Sequence, residues 1–422
     1  MNILLDYLLL IFDFFFYLKG KIVRRDAILF IPHSGMCSVD HYDIINYKSD
    51  SALTFLRYIL DNNLQPSKRI IVAISDNTDE TKYKQLVAEN YPKRSISFVK
   101  VFLTKKYSPF NKIRMRTEYN NQIISCSHIF TSITQDLSRL VNKKQVLCDL
   151  NYYTASLKND IFEPGDPNFM DYKHVGKEYS YVFFPSELCD RLALAEFGSI
   201  PYKKFKYLGL CRNDNLKQEE QCEWLRTLIS ERLSYSLRTL VLYIPTHRDY
   251  EANNSAGNRS VLGFEYDKIG FEEFLRDNGI AIYCKLHPKQ NALVVNTELP
   301  EGIVLHKASE EYGLTELMQA SDVLLTDYTS GYFDYLLLDK PVIFNLYDLD
   351  LYRKNRGIPF EPITSVAAGD IVKNEEELKT ALLSIEKNYS VYKQKRFFVR
   401  DLFFTYPDNK SCERIYNFIF NN

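Results

Sequence analysis

The chain of 422 residues holds a single tryptophan and no excess of charge of either sign, with 53 Lys and Arg against 54 Asp and Glu. A dedicated nucleic-acid binder carries a strong basic excess, so the balance argues against that class while leaving room for a local basic cleft. Cysteine occurs eight times, at Cys37, Cys126, Cys148, Cys189, Cys211, Cys222, Cys284 and Cys412. No pair makes a Cys-x-x-Cys, and the spacings follow neither a zinc nor a disulfide framework. Several lie in apolar, strand-like runs such as VLCDL and IYCKL. Buried reduced thiols account for them, which suits a reducing cytoplasm.

A bilayer-spanning run is also lacking. Residues 3–18, ILLDYLLLIFDFFFYL, give 16 positions interrupted by Asp6 and Asp13, whereas a spanning helix needs about 20 apolar residues. The positive charges Lys19, Lys21, Arg24 and Arg25 follow the apolar run, and no small-residue cleavage site comes after it, so a secretory signal is not present. Two readings of residues 1–25 remain. One is a helix lying in a membrane interface, its cations drawn to anionic lipid. The other is an ordinary first helix buried against the protein or a partner. Both keep the bulk of the chain cytoplasmic, in the first case at the inner face of the membrane.

Apolar residues make up 45% of the chain and aromatic residues 14%, enough for a large core of two to three domains. The aromatic excess reads as core packing. Continuous apolar runs alternate with amphipathic stretches. Strands are expected at 27–33, 69–75, 95–103, 127–132, 145–150 and 180–186, and then at 239–245, 280–288, 322–327 and 341–346. Helices are expected at 51–62, 81–90, 188–197, 271–278, 331–339 and 375–389. Strands without polar alternation are those of parallel sheets buried on both faces. Their alternation with helices makes the fold class α/β, with doubly wound sheets in two halves. The expected divisions are 1–25, 26–205, 206–390 and a helical segment 391–422, with no linker composition to mark them.

Open α/β sheets bind ligands beyond the carboxyl ends of their strands, so polar residues there are the candidates. In DVLLTDYTSGYFDYLLLDKPVIF (322–344) a Tyr-Thr-Ser-Gly turn links a strand to a helix. Thr329 and Ser330 then fall at the helix N-cap, where hydroxyls and free N–H groups accept an anion such as phosphate. Asp334 lies one turn further on, facing a ligand hydroxyl. VLYIPTHRDY ends a strand in Pro245 and Thr246, followed by His247, Arg248 and Asp249. YCKLHPKQ ends another in Lys285, Leu286 and His287, and His287 suits acid, base or anion-partner work at neutral pH. In KYLGLCRNDNL, Arg212 follows a short strand and suits phosphate recognition. Each feature taken alone reads first as a cap, a surface charge or a structural histidine. Asp348 and Asp350 form an Asp-x-Asp, too common a pattern to assign a metal, and no metal or other cofactor is expected.

Together these segments resemble the CDP-glycerol glycerophosphotransferase family, the teichoic-acid polymerases and primases of bacterial surface polymers. GLCRND (209–214) is similar to that family's Gly-x-Pro-Arg-Asn-Asp, and YIPTHRD (243–249) to its Tyr-x-Pro-Thr-x-Arg-Asp. KLHP (285–288) is similar to its Lys-x-His-Pro, and 321–344 to its Ser-Asp-x-x-x-Thr-Asp-Tyr-Ser-Ser-x-x-x-Asp. The loop 347–357 continues that segment and makes Asp348 and Asp350 part of a family loop. The likeness is good over 180–385 and thin before residue 175.

The resemblance implies a GT-B-like architecture, with an acceptor-side half at 26–205 and a CDP-donor half at 206–390. It also implies a donor site lined by Arg212, Pro245, Thr246, Lys285, Leu286, His287, Thr329, Ser330 and Asp334. The family carries Trp-His-Gly-Thr-Pro in its first half, with the His as base. Here the stretch reads LNYYTASLK (150–158), with Tyr152 at the His position and Thr154 kept. His33, ending the first strand, is a candidate substitute, so His287 and His33 are the expected catalytic residues. The implied partners are CDP-glycerol or a related CDP-polyol, a glycan or lipid-linked acceptor, and a membrane surface met through residues 1–25. Two alternatives stay open: a sugar-nucleotide glycosyltransferase or epimerase of the same architecture, and a non-catalytic nucleotide-binding subunit of polymer assembly.

Overall fold

The computed structural model describes residues 15–16, 18–20, 23, 25–33, 48–75, 80–102, 108–133, 137, 139–151, 157, 178–189, 200–217, 222–248, 260–286, 298–307, 310 and 312–421. They form two compact units. Unit 1 comprises 1–152, 161–215 and 408–422, and unit 2 comprises 153–160 and 216–407.

Unit 1 is built on seven strands: β1 (Ala27–Ile31), β2 (Arg69–Ser75), β3 (Ile96–Phe102), β4 (Cys126–Thr131), β5 (Val146–Asp149), β6 (Tyr181–Phe183) and β7 (Phe205–Lys206). Their order is β3-β2-β1-β4-β5-β6-β7, and every pairing is parallel. All five residues of β1 are buried, as expected of a central strand covered on both faces. Helix α1 (Ser51–Asp61) starts where the Asp50 side chain accepts from Leu53 N, the arrangement that satisfies a free first-turn donor. Its Phe55 packs edge-on to Phe130 at 5.0 Å and lies near Phe30. Burial of such a ring contributes about 1.5–3 kcal/mol. Helices α2 (Glu80–Asn90) and α3 (Pro109–Ser125) complete the described crossovers.

Unit 2 has six strands: β8 (Thr239–Ile244), β9 (Ile280–Cys284), β10 (Ile303–Leu305), β11 (Val323–Thr326), β12 (Val342–Asn345) and β13 (Asp370–Val372). They are ordered β10-β9-β8-β11-β12-β13 and again all parallel. Around them lie α4 (Glu223–Ser230), α5 (Lys268–Asn278), α6 (Leu314–Ala320), α7 (Gly331–Tyr335), α8 (Leu349–Arg356), α9 (Glu375–Leu383) and α10 (Ile385–Phe403). Helix α5 begins at an Asp267 cap and ends on Gly279 in the left-handed region, which glycine enters without a Cβ clash.

The last helix, α11 (Ser411–Phe420), belongs to unit 1. Both oxygens of Asp214 take its first donors, Ser411 N at 2.8 Å and Cys412 N at 2.7 Å. Gly209 lies at φ +98°, and a Cβ there would collide with the Ser411 hydroxyl. Phe418 and Phe420 then pack on Tyr181 and His128. The division therefore falls after Asn215 and not at 205, and the tail returns to the first sheet.

Several expected elements differ. The strand expected at 280–288 ends at Cys284, and that at 180–186 ends at Phe183. The helix expected at 375–389 breaks at Ser384, whose extended-side φ of −111° ends α9 and starts α10. Most of the helix expected at 188–197 lies outside the described residues, as do residues 1–14 of the apolar segment. Of that segment Phe16 is buried, whereas Phe15 and Leu18 are exposed. No described helix is long and apolar enough to cross a membrane. The seven described cysteines are buried.

Candidate active site

Parallel strands present all their carboxyl ends at one edge, so each sheet gathers its strand-end loops there. In unit 2 the chain winds outward from β8 towards β10 and from β11 towards β13. The point where it changes direction lies between β8 and β11, the position where open α/β sheets bind ligands. Two loops meet there. Thr246, after β8, donates from its N–H and its hydroxyl to Asp327, after β11, at 2.9 and 2.8 Å. Asp327 is fully buried.

Arg248 locks this junction. Its Nη1 meets Asp327 Oδ2 at 2.5 Å, and its Nε and Nη2 meet the two oxygens of Asp348 at 2.9 and 3.0 Å. Nη1 also donates to the Thr246 carbonyl. The guanidinium lies 5.1, 5.4 and 5.0 Å from the ring centres of Tyr328, Tyr347 and Tyr352. Burial by itself would depress the Arg248 pKa, but Asp327 and Asp348 overturn this and raise it. A planar fork fits two carboxylates in a way that an ammonium does not. Arg248 is therefore a clamp that fixes the loops after β8, β11 and β12. Asp348 is its ion-pair partner, and Asp350 forms an exposed pair with Arg353.

Next to this junction, after β9 and β10, sits a second polar group. Lys285 is half-buried, and burial pushes its pKa down to about 8, with Glu310 and Glu316 opposing. His306 Nδ1 lies 2.9 Å from Glu310 and 3.1 Å from the Tyr283 hydroxyl. Arg232 pairs with the other Glu310 oxygen at 2.7 Å. Burial, then Lys285, lowers the His306 pKa to about 4. With the imidazole neutral, the positive charges of this corner are Lys285 and Arg232, and Arg232 is paired with Glu310.

The turn after β11 carries Thr329 and Ser330, both half-buried, and leads to a buried Asp334. Ser330 sits at the N-cap of α7, just before its first residue, but makes no side-chain capping bond. Its backbone is helical, at φ −63° and ψ −24°, whereas a capping side chain needs an extended backbone to reach the first-turn donors. Thr329 takes that task weakly, its hydroxyl accepting from Gly331 N at 3.4 Å. Because α7 has only five residues before a 3₁₀ turn, the helix-dipole contribution to an anion is small. What the turn offers is two hydroxyls.

Unit 1 reverses direction between β1 and β4. His33 follows β1, Ser132 follows β4, and Asp50 joins them. Asp50 accepts from His33 N at 3.0 Å and from the Ser132 hydroxyl at 2.7 Å. Burial lowers the His33 pKa, and Asp50 opposes this. Arg212 lies in the 3₁₀ turn Cys211–Asn215 and is buried. Asn215 anchors that turn, donating to Lys48 O and Thr54 Oγ1 at 2.8 and 2.9 Å.

Of the residues singled out in the sequence, Pro245, Thr246, Lys285, Leu286, Thr329, Ser330 and Asp334 follow the carboxyl ends of unit 2 strands. Arg212 and His33 belong to unit 1. His287, Tyr152 and Thr154 lie outside the described residues. Asp327, Asp348 and Asp50 were not assigned roles from the sequence. Asp50 had a local signal, an Asp directly before an apolar helical run. Asp327 and Asp348 stood only as members of the family-like segments, and nothing local announced their pairing with Arg248, which is 79 and 100 residues away.

Two parallel α/β units, each with buried polar groups at its switch point, are the parts of a GT-B-like fold. Residues 46–421 match the family described as CDP-Glycerol:Poly(glycerophosphate) glycerophosphotransferase, and the chain belongs to that family. It is 26% identical over 350 residues to a teichoic acid glycerol-phosphate primase of Bacillus subtilis, covering 81% of this chain and 83% of that protein. It is 27% identical over 252 residues to a teichoic acid ribitol-phosphate primase of Bacillus spizizenii, covering 58% of this chain and 60% of the relative. A solved structure of the wall teichoic acid polymerase TagF superimposes with a TM-score of 0.70 at 19% identity, covering 95% of this chain and 90% of that one. At that identity the likeness is one of fold. The chain is a transferase of the glycerophosphotransferase family.

Proposed function

We propose that the chain moves a glycerol-phosphate, or a related polyol-phosphate, from a CDP-activated donor to a hydroxyl of a teichoic-acid-like or other surface-glycan acceptor. Family membership over residues 46–421 carries this reading. In the reaction the acceptor oxygen bonds to the polyol-side phosphorus, the bond from that phosphorus to the CMP oxygen breaks, and CMP leaves with the electron pair. The acceptor proton passes to a base. Negative charge grows on the leaving CMP, so catalysis rests on positioning and on electrostatic stabilisation.

In this reading the donor meets the carboxyl edge of unit 2. Lys285 supplies charge, Thr329 and Ser330 supply hydroxyls to the phosphates, and Asp334 takes a ligand hydroxyl. Thr246, Pro245 and Leu286 shape the walls, and the Arg248 clamp holds the loops that carry them. His287 and Arg212 are assigned to the diphosphate, and His33 to the acceptor proton. Membrane contact through residues 1–25, on the cytoplasmic side, belongs to the same proposal. It is supported by exposed Phe15 and Leu18 next to Lys19. Deleting residues 1–20 should release the chain from anionic vesicles, and unchanged sedimentation would overturn that part.

The test uses the full chain with CDP-glycerol, CDP-ribitol and UDP-N-acetylglucosamine, each with a lipid-linked polyol-phosphate acceptor. CMP release from one of the CDP-polyols, coupled to acceptor extension, is expected. Turnover of the UDP-sugar alone, or donor binding with no CMP release, would replace the proposal by one of its alternatives.

A further inference from the structure

Asp50 is fully buried, yet the described residues that hydrogen-bond to it do so through neutral groups: His33 N at 3.0 Å, Leu53 N at 2.9 Å and the Ser132 hydroxyl at 2.7 Å. No cation pairs with it among the described residues. As a helix cap this is excessive. Serine or asparagine caps as well as aspartate, and burying a carboxylate without a counter-ion costs far more than a cap contributes. The fold keeps a negative charge where a neutral cap would serve.

The charge stands at the point where unit 1 reverses its winding. It touches the loop after β1, the start of α1 and the residue after β4. Two titratable side chains face it among the described residues: the buried Cys211 thiol, whose pKa burial raises with Asp50 adding to the rise, and His33, whose backbone N–H it also holds. Burial disfavours a charged imidazole there, and the carboxylate is the opposing influence. A base that takes a proton in a half-buried site gains most from a fixed negative charge next to it.

We propose that Asp50 is a positioning residue that fixes His33 at the end of β1 and stabilises the imidazolium formed when His33 takes the acceptor proton. The proposal rests on the reading of His33 as the proton acceptor. The acceptor hydroxyl loses its proton to the imidazole as its oxygen bonds to phosphorus, and CMP leaves with the electron pair. Ser132 and the Leu53 N–H hold Oδ1 and the His33 N–H holds Oδ2, so the carboxylate does not turn away from the end of β1.

The experiment measures kcat against pH, with the KM for CDP-glycerol, in the full chain and in His33→Gln, Asp50→Ser, Asp50→Asn and Ser132→Ala. His33→Gln should lower kcat by at least about 100-fold. If it does not, the reading of His33 fails and this proposal with it. If it does, Asp50→Ser, which keeps a capping hydroxyl, should lower kcat by about tenfold or more. It should also move the acid limb of the profile down by about one pH unit, with KM for CDP-glycerol within twofold. Ser132→Ala keeps the charge and should leave the limb in place. A titration of the His33 ring proton by NMR in wild type and Asp50→Asn gives the same shift without relying on turnover. An unmoved acid limb and an unmoved His33 titration in the Asp50 variants would reduce Asp50 to a helix cap and overturn the proposal.

Discussion

Both units place a buried aspartate where the winding of the sheet reverses, and the two carboxylates are handled in opposite ways. Asp327 in unit 2 faces Arg248, which it shares with Asp348. Asp50 in unit 1 meets only neutral donors among the described residues. Neutralised, Asp327 can hold three loops rigid without adding negative charge to the edge that carries Lys285, Thr329 and Ser330. An anionic donor needs such an edge. Asp50 leaves its charge acting on the neighbouring histidine. Position in the sheet is common to the two; the counter-ion decides whether the carboxylate is a rivet or a source of field.

The largest expected effect comes from breaking the rivet. Arg248→Met leaves two buried carboxylates without their cation, and loss of one partner of a buried pair typically costs about 3–5 kcal/mol. The chain's only tryptophan, Trp224, lies in α4 of unit 2 against Tyr312 at 5.8 Å. Urea unfolding followed at Trp224 therefore reports on the damaged unit. A loss under about 1 kcal/mol would mean that the clamp does not hold the unit 2 edge.

Acid should weaken both units. His128 in unit 1 and His306 in unit 2 have pKa values lowered to about 4, chiefly by burial and then by Lys68 and Lys285 respectively. An unfolded histidine titrates near 6.5. Between these values the unfolded chain binds the proton and the folded one does not, so stability falls as pH drops from 6.5 to 4 and rises again as it is restored. For His128 the span corresponds to about 3 kcal/mol. His128→Phe, which suits the rings of Phe130 and Phe420, should flatten the fall of melting temperature across this window. A slope equal to wild type would remove His128 from the account.

A smaller and more local effect is expected at the donor edge. Ser330→Ala should weaken CDP-glycerol binding by about 1.5–3 kcal/mol, the scale of a hydrogen bond to a charged group, with unfolding unchanged because Ser330 caps nothing. Calorimetric affinity equal to wild type would exclude the hydroxyl from the site. The smallest effect separates the members of the Asp-x-Asp. Asp350→Ala removes an exposed partner of Arg353 and should leave melting temperature and turnover unchanged. Asp348→Ala strips Arg248 of one carboxylate and should lower both. Equal behaviour of the two would contradict the division of roles drawn from their burial.

The sheet strands were largely legible in the sequence. RIIVAIS occupies the expected 69–75 without change, because an apolar run flanked by polar residues has few other places to go. Strands of three residues, such as β10 and β13, are too short to carry a pattern. Helix α3 is polar on most sides, so no stripe announced it. At the site, the residues of the strand-end loops were legible because they follow buried runs directly. The capping role expected of Ser330 was not observed, because capping depends on backbone angles that a Thr-Ser-Gly string does not set.

Sequence alone determined that this chain forms parallel α/β sheets with polar strand ends, since apolar runs and turn residues are local properties. It also carried the ordered motifs of the family. Tertiary structure alone decided which carboxylate meets a cation, that the final helix returns to the first sheet, and that Arg248 clamps loops instead of facing solvent. These outcomes join residues tens to hundreds of positions apart, and the energy of a charge is fixed by what burial brings next to it, which no stretch of neighbouring residues contains.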